Sequence, residues 1–355
     1  MKWIAFIAAF ALLFVITPQT IVAQEYNQGT VVDIQSVADP QGKPIDRLII
    51  RIDNGNTVQV KYDRQQSNIV TDIQKGDRVV VQTVQNLGKK PVYLLSTRVR
   101  SNAILILAVL FVACTLLIAR LKGLAALGAM LISFAVIFFF ILPRIMAGDE
   151  PVMTAILGCC VFVPVSFVLS HGANKKTVTA IISTLCSLIL TGALGAFFVN
   201  YSGLTGFASE EASYVQLMVN QNISIHDLLL AGIVIGASGI LDDITISQAA
   251  IVFALKKAAP DINFTQLYAQ AMDVGRDHIA SLVNTLILVY AGASLPLLLL
   301  FTSSQISPLI AINFEVIAEE IVRTLVASIG LIMAVPLTTL AASIVAVNEK
   351  KRKSA

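Results

Sequence analysis

Seven apolar runs, each close to the length that crosses a bilayer, follow one another from Asn102 to Val347. They fall at 102–119, 124–142, 152–170, 177–199, 227–255, 281–301 and 317–347. A helix needs about 20 apolar residues to cross a hydrocarbon layer about 30 Å thick. No soluble core accounts for such a series. Of the chain's residues 56% are hydrophobic and 13% charged, against roughly 25% charged in a soluble domain. A sphere of this size cannot hide that much apolar surface. Too little charge, proline and periodic glycine remain for a disordered or collagen-like chain. The fold class that follows is an α-helical polytopic membrane protein.

The short connections carry an orientation signal. Arg120 and Lys122 follow the first run, Lys175 and Lys176 the third, and Lys256 and Lys257 the fifth. Lys350, Lys351, Arg352 and Lys353 follow the seventh. The opposite connections hold Asp149, Glu150, Glu210 and Glu211, with Arg144 as their one cation. Every basic cluster therefore falls on one side, the cytoplasmic one by the positive-inside rule, and the C-terminus lies there. The expected location is the cytoplasmic membrane, with seven spans and a basic tail over 349–355. The outer stretch 203–225, with Gly203, Gly206 and an apolar segment Tyr214–Val219, reads as a short interfacial helix or a lid.

Residues 1–23 combine Lys2, an apolar run from Trp3 to Ile16, and Ile21-Val22-Ala23. This is the layout of a signal peptide, or of an uncleaved anchor. Either places residues 24–100 outside the cytoplasm. That segment is polar and strand-like: Gly29–Val37, Arg47–Ile52, Thr57–Tyr62, Arg78–Val84 and Val92–Arg98. Asp53-Asn54-Gly55-Asn56 joins the second and third as a hairpin turn, because glycine accepts the positive φ that a tight turn needs. Five short strands suggest a small OB-like or SH3-like β barrel. It lacks an aromatic stacking platform and reads as a docking module for the membrane part or an envelope partner.

Several chemistries find no support. A net charge of +3 is too small to suggest nucleic-acid binding, which needs a basic patch. Cys114, Cys159, Cys160 and Cys186 all lie inside apolar runs, without disulfide or zinc-ligand spacing. His171, His226 and His278 are too far apart to form a local metal motif. No glycine-rich phosphate cradle is present. The expectation is no cofactor, no metal and no enzymatic activity, with the lipid bilayer and an unknown ion or small solute as partners.

The fifth run holds the main anomaly. Leu228–Leu241 and Ile244–Leu255 are each too short to span, and Asp242-Asp243 joins them. An ionised carboxylate at mid-membrane costs at least about 2.5–3.5 kcal/mol, so at least one acid should be protonated, paired or facing water. At about 100° per residue, Gly232, Gly236 and Gly239 lie within about 40° of Asp243, and Ser247 and Ala250 extend the stripe. Small residues let another helix approach closely, so Asp243 is expected to face the bundle interior. The sixth run opens with Asp273-Val274-Gly275-Arg276-Asp277-His278. Asp273, Asp277, Ser281 and Asn284 share a face, with His278 beside it. Arg276 has Asp273, Asp277 or the Asp242-Asp243 pair as its choices of partner.

Secondary candidates lie at the span ends. His171 stands in the third connection, Ser170-His171-Gly172-Ala173-Asn174-Lys175-Lys176-Thr177, where Gly172 allows a turn and Thr177 offers a helix cap. Glu319 and Arg323 form a favourable i,i+4 pair. Pro336 should bend the last span or free the carbonyl of residue 332.

The stretch Gly236-Ala237-Ser238-Gly239-Ile240-Leu241-Asp242-Asp243-Ile244-Thr245-Ile246-Ser247-Gln248 resembles the fifth-span signature of the YibE/F-like membrane proteins. So does Val274-Gly275-Arg276-Asp277-His278-Ile279-Ala280-Ser281-Leu282-Val283-Asn284-Thr285-Leu286, followed by Tyr290-Ala291-Gly292-Ala293-Ser294-Leu295-Pro296. The resemblance covers about residues 100–345, and the outer β segment fits the longer members. It implies a multispan bacterial membrane protein and carries no catalytic residue onto this chain. Domain limits follow: a leader or anchor to 23, an outer β domain over 24–100, and the membrane domain over 101–348.

Two readings of function stay open. In the first, Asp242, Asp243, Ser247, Arg276, Asp277, Ser281 and Asn284 line an ion, proton or substrate path of a transporter or permease. In the second, the acids only hold helices together, and the chain is a non-transporting envelope module. An intramembrane aspartyl protease needs two acids facing each other from different helices, whereas Asp242 and Asp243 diverge on one helix.

Overall fold

The computed structural model describes residues 25–38, 44–62, 73–84, 91–219, 222–303 and 306–353. The leader or anchor read over 1–23 lies outside the described residues. The chain divides into two compact units at Ile118/Ala119.

The first unit contains five strands: β1 (Glu25–Ala38), β2 (Pro44–Ile52), β3 (Thr57–Tyr62), β4 (Arg78–Val84) and β5 (Val92–Arg98). They form one antiparallel sheet in the order β3-β2-β1-β4-β5. Register shifts at Val31/Asp33 and Val80/Val81 curve it into a half-barrel. Alternation sets the faces, as in β3, where Val58, Val60 and Tyr62 are buried and Thr57, Gln59 and Lys61 exposed. The enclosed core is Val31, Leu48, Ile50, Ile52, Val58, Val60, Val79 and Val81, with Tyr62 and Ile73. The hairpin turn forms as its sequence requires: Gly55 has φ +91° and Asn54 Oδ1 accepts from the Asn56 N–H at 3.0 Å.

Helices make up the rest: α1 (Ser101–Val136), running through a π-helical turn (Ile137–Ile141) into α2 (Leu142–Met146), then α3 (Pro151–His171) and α4 (Lys175–Tyr201). After them come α5 (Glu210–Tyr214), extended by a π turn (Val215–Val219), α6 (Ile225–Ala258), α7 (Phe264–Ala293), α8 (Leu295–Ser303), α9 (Pro308–Ala311) and α10 (Glu315–Lys353).

Five helical stretches have the length and apolarity to cross a membrane, and six if α7 and α8 count as one bent span. Seven were expected. The difference lies in Ser101–Met146, 46 residues that count as one stretch although they are two helices joined across a kink. Its single non-helical residue is Arg120, at φ 52° and ψ −130°, where the sequence placed a connection. The sixth expected span, 281–301, is also not straight. α7 begins at Phe264 and bends 65° into α8 near Ser294. Pro296 follows, and its ring and missing N–H oppose a continuous helix. Pro336 lies inside α10, which runs from Glu315 to Lys353.

Three helices, α4, α6 and α10, pack mutually, with α3 against α6 and α7 against α10 and α6. In a bilayer such contacts are held by close packing and interhelical hydrogen bonds, because lipid tails remove the hydrophobic drive between helices. Gly330 of α10 lies directly against Thr191 of α4, and Gly275 of α7 against Val335 and Gln248. Helix ends are capped by side chains: Glu150 for α3, Asn174 for α4, Ser224 for α6 and Asn263 for α7. The cap of α4 is thus Asn174, accepting from the Thr177 N–H at 3.0 Å, and not Thr177.

Candidate functional site

α6 is the central helix of its unit, buried on most of its circumference. Its open side carries Gly232, Gly236, Gly239 and Asp243, all exposed, with Ser247 and Ala250 half-buried beyond them. Nothing lies within 4 Å of where a Cβ would stand on Gly232, Gly236 or Gly239. The small-residue stripe is therefore not a seat for another helix, as the sequence suggested. It is an open glycine face leading to Asp243. The face of α6 that packs is the opposite one, with Val234, Ala237, Leu241, Ile244, Gln248 and Val252 buried. The 100° step between neighbours turns Asp242 toward that packed side. Its Oδ1 is buried without a hydrogen-bond partner. Asp242 and Ser238 are the polar neighbours from α6 around the fully buried Cys159 of α3. The inward acid is Asp242, and Asp243 opens outward.

Both acids line a cavity of about 300 Å³ with Gly239 and Ile246 of α6 and Ser166, Phe167, Ser170 and His171 of α3. By count they are midway along α6, yet they stand beside the last turn and a half of α3. A second cavity, about 440 Å³, shares Ser166, Ser170 and Gly239. Its wall is Ala126, Ala129, Met130, Ser133 and Phe134 of α1 with Ile137 of the π turn that follows. His171 has Asp243, Lys122 and Lys176 as charged neighbours. None of the ion pairs among the described residues involves Asp242 or Asp243.

The structure thus joins Asp242, Asp243 and His171, and adds Ser166 and Ser170, which carry no sequence signal beyond a hydroxyl in an apolar run. The α7 candidates are elsewhere. Asp277, Ser281 and Asn284 are exposed on the side of α7 away from its buried Leu267, Ala271 and Gly275. Arg276 pairs with Asp273 at 2.6 Å, both well exposed, rather than with either α6 acid. His278 is half-buried. At the other end of the bundle Arg323 pairs with Glu320 at 2.6 Å, not with Glu319. Positions i,i+3 and i,i+4 are both neighbours on a helix, so spacing alone does not choose between them. Glu319 is buried, with Oε1 unpartnered. Glu315 Oε1 accepts from the Thr205 N–H and hydroxyl, both at 2.6 Å, and from the Gly206 N–H at 3.1 Å, tying the 203–206 turn to α10.

A feature missed in the sequence is a seam of buried hydroxyls between α4, α6 and α10. Thr184 and Thr245 meet at 2.6 Å. Gln248 Nε2 donates to Ala271 O of α7 at 2.9 Å and to Thr339 Oγ1 of α10 at 2.7 Å. Several hydroxyls also donate within their own helix, Thr191 to Ser187 O and Ser328 to Thr324 O among them. Serine and threonine hide easily in apolar helices by such back-bonding, which is why the pattern does not announce itself.

Residues 107–348 match the sequence profile of the YibE/F-like protein family. No curated protein and no solved structure matches the chain.

Proposed function

The chain belongs to the YibE/F-like family, and from that premise we propose that it is a multi-pass protein of the cytoplasmic membrane whose Asp242–Asp243 cavity serves ion- or proton-coupled transport. One observation carries the reading: two adjacent carboxylates, without a lysine or arginine paired to them among the described residues, line a cavity on the central helix. An acid that alternates between charged and neutral forms couples a proton or cation to movement of a solute. Asp243 is the exchanging group, Asp242 its inward neighbour, and His171 the group at the cavity mouth.

Seven spans follow if Arg120 separates two of them. At 1.5 Å per residue the two helical parts, Ser101–Ala119 and Leu121–Met146, rise about 29 and about 39 Å, each near the hydrocarbon thickness. The proximity of Lys122 and Lys176 to His171 supports a single basic, cytoplasmic end. Residues 24–100 then lie outside, and the C-terminus inside. No catalytic role is assigned to any residue.

The test is proton entry into liposomes holding the purified chain, driven by an imposed membrane potential and read with an entrapped pH dye. Asp243→Asn is expected to reduce entry to the level of empty liposomes. Equal rates in wild type and variant, or no entry above empty liposomes with wild type, overturn the reading.

One observation favours a second reading, a non-transporting envelope module. The strand order is that of an OB barrel left open between β3 and β5. On its outer face Tyr26, Val92 and Leu94 are exposed, Tyr26 and Leu94 flanking Gln82 in register. Such a row suits a protein partner. Under this reading Asp243→Asn changes stability and leaves every solute gradient untouched.

A further inference from the structure

The two cavities that meet at Gly239 differ in chemistry. The smaller is polar, with the Asp242 and Asp243 carboxylates, His171 and the Ser166 and Ser170 hydroxyls. The larger is an apolar wall, chiefly Met130, Phe134 and Ile137, closed by the same two serines and by Gly239. A site with uncompensated carboxylates repels anions and gains little from neutral solutes, which leave the charges unanswered. A bare metal ion is poorly served as well. Among the described residues no three His, Cys, Asp or Glu side chains gather around a common point, and the larger cavity adds only the hydroxyls of Ser133, Ser166 and Ser170 to an otherwise apolar lining. What fits both halves is a cation with an apolar body.

We propose that this cleft binds a small organic ammonium ion, its charged nitrogen against Asp243 and Asp242 and its alkyl part along Met130, Phe134 and Ile137. Ser166 and Ser170, at the junction, accept from the ammonium N–H groups. The proposal rests on the transport reading above in taking the acids as ligand-facing groups, and it names the class of solute they face. Gly239 is the passage between the halves. A Cβ there meets no atom of the described residues within 4 Å, and a longer side chain projects where the alkyl part would cross. Gly232 lies two turns away on the same open face and lines neither cavity.

That contrast supplies the experiment. Binding of n-butylammonium and of n-hexylammonium to the full chain in nanodiscs is measured by isothermal titration. Sodium and 1-butanol serve as the charged and neutral competitors. The variants are Gly239→Leu, Gly232→Leu and Asp243→Asn, each checked for wild-type helicity by circular dichroism. Saturable binding of one ammonium per chain is expected, abolished by Gly239→Leu, weakened by Asp243→Asn and retained in Gly232→Leu, with neither competitor displacing it. Binding that survives Gly239→Leu, or that sodium or 1-butanol displaces as readily as a second ammonium, overturns the proposal. So does the absence of binding in wild type. The two readings fail separately. Proton entry lost in Asp243→Asn without ammonium binding in wild type leaves transport standing and removes the solute class. Ammonium binding with the expected pattern and unaltered proton entry does the reverse.

Discussion

Gly275→Ala tests whether the packing of α7 on its neighbours is as close as described. A Cβ at Gly275 would stand 2.6 Å from Val335 Cγ1, 3.0 Å from Gln248 Nε2 and 3.2 Å from Gln248 Oε1. Val335 and Gln248 are fully buried, so neither has free space to retreat into. Overpacking of this kind costs about 1–3 kcal/mol. Alanine recovers about 0.8–1.0 kcal/mol of helix propensity over glycine in a helix interior. The net expectation for Gly275→Ala is a loss of about 0–2 kcal/mol. Gly232→Ala is the matched control: it is also inside a helix, but open. It should gain the propensity term alone. The difference between the two variants isolates the clash, about 1–3 kcal/mol. Unfolding in mixed micelles with increasing SDS, followed by circular dichroism, gives that difference directly. Val335→Ala should bring the double variant with Gly275→Ala nearer to the Val335→Ala single. Equal midpoints for Gly275→Ala and Gly232→Ala would refute the packing argument.

Gln248→Leu removes the donor shared by Ala271 O and Thr339 Oγ1. At about 0.6–1.7 kcal/mol per interhelical bond in a membrane, it should cost about 1–3 kcal/mol in the same unfolding measurement, and an unchanged midpoint counts against the bond pair. Glu315→Ala frees the Thr205 and Gly206 N–H groups, so hydrogen exchange at residues 204–207 should rise while exchange in α4 and α6 stays as in wild type. Gly29→Ala would place a Cβ 2.7 Å from both Arg51 O and Ile50 Cγ2. Faster exchange confined to β1 and β2 of the full chain is the expected result, and wild-type protection there would show that the sheet yields without cost.

Local signals were read well and spatial ones were not. The Asn54-Gly55 turn and the alternation Val58-Val60-Tyr62 are short-range patterns, and the five strands form where those patterns lie. The Asp242-Asp243 anomaly was legible because charge in an apolar run stands out whatever surrounds it. Its neighbour His171 is remote in sequence, and only the packing of α3 on α6 brings them together. The glycine stripe was misread for a physical reason. An absent side chain signals equally a close neighbour, as at Gly275 and Gly330, or empty space, as at Gly232, Gly236 and Gly239, and helical periodicity does not separate the two. The polar face of α7 shows the same ambiguity, since Asp277, Ser281 and Asn284 share a helical face yet that face is exposed.

The hydroxyl seam has a mechanical consequence. Thr184, Thr191, Ser328 and Thr339 each give their proton to a carbonyl of their own helix. Across α4 the exception among the described bonds is Thr184–Thr245, so sliding α4 past its neighbours breaks a single hydroxyl contact. Gln248 is the rivet through the seam, because its amide reaches two other helices at once. Hydrogen bonds therefore tie α6 to α7 and α10 at two points and α4 to α6 at one, and what holds α4 in place is chiefly close packing, as where Gly330 meets Thr191.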